Sequence, residues 1–125
     1  MNIKVLGAAS EVGRSGFLVK CDHANLLLDY GVMFAKRRNE PPLYPLHVKP
    51  KDVDAVIITH AHLDHSGCVP SLFKGGNTHV YATPPTHDLS ILLIEDMLKI
   101  EKNKHSFDYR HVNSMIKNSK EIGFR

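Results

Sequence analysis

Residues 53–67 read Val53-Asp54-Ala55-Val56-Ile57-Ile58-Thr59-His60-Ala61-His62-Leu63-Asp64-His65-Ser66-Gly67. The first seven are apolar and β-branched, the composition of a short buried strand, so the histidines begin where a strand is predicted to end. A strand end is a rigid mount for ligands. His60 and His62, two apart in extended chain, point to one side and can grip one ion, whereas Asp64 and His65 follow where the backbone turns and can reach an adjacent one. Three His and one Asp at these offsets arise by chance in under about one percent of chains of this composition. Imidazole and carboxylate donors without thiolate suit zinc first, and manganese or iron where carboxylates are prominent. The spacing lacks the HExxH helix pattern of a single-ion site. Paired ions that activate water point to hydrolysis.

Upstream, residues 2–6 alternate Ile3 and Val5 with polar neighbours, and a glycine-punctuated connection leads to Phe17-Leu18-Val19, a first hairpin. A turn over residues 21–25 leads to Leu26-Leu27-Leu28-Asp29, so three strands pair as a meander before any helix. Asp29 closes an all-leucine strand, where a carboxylate is costly unless it accepts hydrogen bonds. We read it as a group that orients the histidine loop from behind. An ordinary loop-start aspartate is the competing reading.

Residues 31–52 carry Pro41, Pro42, Pro45 and Pro50 and no sustained period, which predicts a long loop. Lys36, Arg37, Arg38, Lys49 and Lys51 bracket its proline-rich segment. Residues 66–73 predict a short helix, with Pro70 tolerable only in the first turn and Gly75-Gly76 as its stop. A strand follows over residues 79–82, and Thr83-Pro84-Pro85-Thr86 sets up a helix whose Leu89, Leu92, Leu93, Met97 and Ile100 recur at helical spacing, with Ile91, Ile94 and Leu98 widening the stripe. That helix is expected to be buried over much of its circumference. Asp108 is positioned to cap a last helix carrying Val112, Met115 and Ile116, with Gly123 as its stop. For His79, His87, His105 and His111, surface or helix-cap roles are expected.

At 125 residues and 42% hydrophobic, the chain is one domain or part of one, and neither disorder nor a fibrous repeat is indicated. A formal charge of +3 permits an anionic substrate without demanding one. Two cysteines, Cys21 and Cys68, form neither a CxxC knuckle nor a disulfide framework and are expected to be buried free thiols. No apolar signal core opens the chain and no run of about 18 apolar residues follows, so a soluble cytoplasmic protein without membrane contact is expected. Association into a homo-oligomer is left open.

His60-Ala61-His62-Leu63-Asp64-His65 resembles the HxHxDH motif of the metallo-β-lactamase-fold hydrolases, and the strand-terminal Asp29 resembles that family's first motif. Leu6-Gly7-Ala8-Ala9-Ser10-Glu11-Val12-Gly13-Arg14-Ser15 and Tyr81-Ala82-Thr83-Pro84-Pro85-Thr86 resemble its β-CASP branch, RNA-processing nucleases similar to the cleavage and polyadenylation specificity factor subunit and its archaeal relatives. The resemblance implies an α/β fold, the N-terminal half of an αββα sandwich with a mixed sheet, and RNA as substrate. It implies two zinc ions, His60 and His62 on one, Asp64 and His65 on the other, with Asp64 also orienting the attacking water. It places a further histidine, a bridging aspartate and the β-CASP insertion downstream, so that residues 1–125 are a partial domain, inactive alone. A small-molecule hydrolase acting on thioesters or lactones, and a non-catalytic folding unit, are the alternatives.

Overall fold

The computed structural model describes residues 1–35, 40–76, 78–101 and 104–123. Lys36, Arg37 and Arg38 lie outside them. Six strands form one sheet in sequence order: β1 (Asn2–Gly7), β2 (Gly16–Lys20), β3 (Asn25–Tyr30), β4 (Ala55–Ile57), β5 (His79–Ala82) and β6 (Ser119–Glu121). The first three pair antiparallel, with Val5 opposite Phe17 and Leu18 opposite Leu27. From β3 onward all pairings are parallel, Leu27 opposite Val56 and Val56 opposite Val80. The sheet is therefore mixed, a meander continued by crossovers.

The crossovers carry the helices α1 (Leu63–Ser66), α2 (Pro84–Ile100) and α3 (Tyr109–Lys117), and a 3-10 helix Val69–Phe73. Alternation along the strands sorts the residues: Leu6, Leu18, Leu27, Val56 and Val80 join Leu72, Ile94, Met97, Val112 and Met115 in one core. On the opposite sheet face Ile3 and Val5 are exposed and Phe17, Val19, Leu26, Leu28 and Ile57 only half-buried. Helices cover one face and leave an apolar face open, so the described residues make two layers of a sandwich.

Several local expectations change. The predicted 66–73 helix divides: a single α turn begins inside the histidine motif at Leu63, and a 3-10 helix follows, with Pro70 in its first turn where no amide is missed. On α2 the buried residues are Ser90, Ile94, Met97 and Leu98, while Leu89, Leu92 and Ile100 face outward, Leu92 at 64% exposure. The small Ser90 takes the inward position, which rotates the leucines onto the outer face. The last helix stops at Lys117 rather than Gly123. Asn118 caps it, its side chain donating to the Ser114 carbonyl at 2.8 Å. Unforeseen β6 then pairs with β5. Cys68 is buried, but Cys21 sits exposed in the β2–β3 turn.

Candidate metal centre

The motif sits at the carboxyl ends of β3 and β4, where the parallel strands release their chains into loops. β4 ends at Ile57, and the Ile58 amide still donates to the Tyr81 carbonyl at 3.0 Å, so Thr59 and His60 leave from a strand held on both sides. His62 is extended and caps α1, its carbonyl accepting from the amides of His65 at 2.9 Å and Ser66 at 3.0 Å. The buried Ser66 hydroxyl donates to the Ala61 carbonyl at 2.9 Å. This turn swings Asp64 and His65 back beside the two earlier histidines. The rings of His60 and His62 meet edge-on at 4.3 Å between centroids, and those of His60 and His65 lie 5.1 Å apart. His65 Nε2 is 3.6 Å from Asp64 Oδ2.

Behind the motif stands Asp29, 5% exposed, at the end of β3. Its Oδ1 accepts from the Thr59 amide at 2.7 Å, and its Oδ2 from the Thr59 hydroxyl at 2.6 Å. Oδ2 also lies 2.9 Å from His65 Nδ1. A carboxylate accepts, so Nδ1 carries a proton, and in the neutral ring Nε2, on the side of Asp64, is the nitrogen with the lone pair. Asp29 has φ +60, a left-handed conformation that aspartate and asparagine tolerate better than most residues.

Backbone contacts fix the rest. The Ser15 amide donates to the Asp64 carbonyl at 2.9 Å, Val32 to Leu63 at 2.9 Å, and Cys68 to Tyr30 at 2.8 Å. The first loop and the chain after β3 thus hold α1 from two sides. Thr59, Ser15 and Ser66 went unread in the sequence. An Asp-to-Thr pairing across adjacent strand ends is a tertiary relation, with no spacing to betray it.

The four motif side chains offer three imidazoles and a carboxylate, a donor set that fits zinc, and also manganese or iron. Among the described residues, the trio drawn tightest is a different one, His87, Asp88 and Glu121, whose donor atoms all lie within 4.8 Å of one another; no three of the motif's donors are brought that close. Its Asp88 side chain is 81% exposed and lies in the second turn of α2. The motif differs from that trio in having a buried carboxylate, Asp29, hydrogen-bonded to one of its donors, His65.

The other histidines divide. His79 is exposed on β5. His111 is a cap residue, Nδ1 accepting the Asp108 amide at 3.0 Å. His105 departs from the surface role expected of it: its side chain is 1% exposed, Nε2 donating to Glu101 at 3.0 Å and Nδ1 accepting from the Tyr44 hydroxyl at 2.6 Å. That ladder ties the long loop to the end of α2. Among the described residues, no helix is long and apolar enough to cross a membrane.

Known proteins resemble the chain at both levels. It is 47% identical over 103 residues to the transcription termination factor FttA of Methanosarcina mazei, covering 80% of this chain and 16% of the relative. It is 36% identical over 123 residues to RNase aCSPSF2 of Saccharolobus solfataricus, covering 98% of this chain and 25% of that protein. The chain thus spans a quarter or less of these two relatives. Among solved structures, a B3 metallo-β-lactamase with an active-site glutamic acid superposes with a TM-score of 0.49 at 21% identity, covering 70% of this chain and 32% of that one. A metallo-β-lactamase superfamily model matches residues 11–108, and with that match over most of its length the chain belongs to this superfamily.

Proposed function

We propose that these residues are the N-terminal part of a zinc-dependent ribonuclease that hydrolyses RNA phosphodiesters in the cytoplasm. The observation that carries the reading is the threefold engagement of Asp29, which holds Thr59 and the His65 ring so that Nε2 is left for a ligand. His60 and His62 would hold one ion, Asp64 and His65 the other. Ions there would supply Lewis acidity, activating water and neutralising charge on the attacked phosphate. The protein's own part is to fix the donors: Asp29 sets the His65 tautomer, Ser66 and the His62 carbonyl hold the turn, and Asp64 would orient the attacking water. The printed names of the relatives, an RNase and a transcription termination factor, favour RNA as the substrate class. The open face bearing Ile3, Val5 and Phe17 supports a partial sandwich that needs a second sheet. By itself the chain is expected not to cleave RNA, because members of a cooperating site fail together.

The test is a graft. Residues 1–125 replace the matching segment of the Saccharolobus solfataricus RNase, and labelled RNA is incubated with zinc or manganese. Cleavage that disappears with His62→Ala plus Asp64→Ala is expected. A folded graft that is inert on RNA overturns the reading, and one that opens thioesters or lactones instead favours the small-molecule alternative.

A further inference from the structure

Beside the histidine motif lies an open cavity of 490 Å³ whose lining changes character from one end to the other. His62 and Asp64 make one end. Val12, Met33, Phe34, Leu63 and Leu93 make the remainder. Val12 is 88% exposed at the tip of the first loop, and Phe34 is half exposed just after β3; neither belongs to the core cluster. Both line the same cavity as His62 and Asp64, so this exposed apolar surface is continuous with the candidate metal centre.

The two loops that carry them are seated on each other. Gly13 has φ +112, and a Cβ there would stand 2.9 Å from Met33 Cγ, so the first loop approaches the residue beside Phe34 as only glycine permits. Val12 and Phe34 are thereby presented together as one surface.

A nucleotide has the same two-part chemistry: a charged phosphate joined to a flat base with apolar faces. We propose that the cavity seats the nucleobase adjacent to the scissile phosphate, stacked on Phe34 and flanked by Val12, with the phosphate at the His62 and Asp64 end. The inference rests on the ribonuclease reading and extends it to the form of RNA taken. Apart from His62 and Asp64, none of the described lining residues has a side chain that could hydrogen-bond a base edge, so the subsite accepts any base. A base already stacked in a duplex cannot enter, so the substrate is single-stranded.

The experiment uses the full chain in zinc-containing buffer, titrated into short single-stranded RNAs that carry 2-aminopurine at successive positions. Fluorescence change at one position is expected, with affinity reduced about tenfold by Phe34→Ala and restored by Phe34→Tyr. An abasic nucleotide at that position is expected to weaken binding equally, whereas exchanging its base has little effect. Duplex RNA should not compete. Because Val12 is a loop tip, Val12→Ser gives a second arm free of folding effects and is expected to weaken binding in the same direction. RNA binding that is indifferent to both substitutions, or no RNA binding at all, overturns the subsite. The ribonuclease reading is judged separately by the graft, so a Phe34-dependent signal with an inert graft would retain the subsite and remove the nuclease.

Discussion

Gly31 lies flat against the backbone carbonyl of Asp64, so close that a Cβ on Gly31 would overlap the Asp64 carbonyl oxygen and carbon. The chain leaving β3 and the turn that carries two of the candidate ligands are in backbone contact, and only the absence of a side chain permits it. Gly31→Ala must push α1 away from β3. We expect a stability loss of about 1–3 kcal/mol, the usual cost of overpacking, read from a shifted urea midpoint. An unchanged midpoint would show that the turn moves freely and is not a fixed mount.

Asp29→Asn keeps a residue that tolerates φ +60 but removes the charge and one acceptor from the Thr59 and His65 contacts. Zinc affinity should fall by about 10- to 100-fold with the fold retained, as circular dichroism and calorimetric titration would show. Equal affinity in the two proteins would return Asp29 to a purely structural role.

Zinc binding itself should be weak in the isolated chain, since two side chains per ion leave half of each shell to water. Tight binding of two equivalents that survives His60→Ala plus His62→Ala would locate the ligands elsewhere, with His87, Asp88 and Glu121 the next group to test.

The two thiols should be distinguishable. Burial pushes the Cys68 thiol up to about 12, against partial relief from the Ser71 hydroxyl 3.4 Å away, whereas Cys21 is exposed. A thiol-reactive disulfide reagent at pH 8 is expected to modify one cysteine quickly and the second only after denaturant is added. Equal rates in the folded chain would contradict the buried position of Cys68.

Acid should loosen α3 first through its cap. Hydrogen bonds from the Arg110 guanidinium, and then from its backbone amide at 2.9 Å, hold the Asp108 carboxyl at about 2 against an ordinary 3.8. A depressed folded value means the cap contributes fully above the ordinary value and is lost as pH falls toward 2. Stability of the wild type should therefore drop more steeply between about pH 4 and 2 than that of Asp108→Asn. Parallel pH profiles would dismiss the cap.

What was legible in the sequence was what repeats or stands alone. The β-branched run ending at Thr59 announced a strand, and Asp29 after three leucines announced a carboxylate needing partners. Identifying those partners required the fold, because Thr59 is thirty residues away in the chain. β6 escaped notice because Ser119-Lys120-Glu121 has no apolar alternation and forms the sheet's outer edge. Leu89 and Leu92 misled because helical spacing shows that residues share a face without saying which face meets the core. Ser90 settled that through its small volume.

The change from antiparallel to parallel pairing occurs at β3, and three residue pairs join β3 to β4. Beyond the last of them, Leu28 with Ile57, the next link between the two chains is the Asp29 side chain reaching Thr59. The carboxylate thus acts as a final rung of the ladder, made of side chain where backbone pairing has ended. The seam between the meander and the parallel strands is also the floor of the candidate metal centre. If an ion is held there, its binding would tighten this rung, so amide exchange along β4 is expected to slow on adding zinc even though none of the histidines lies in the strand.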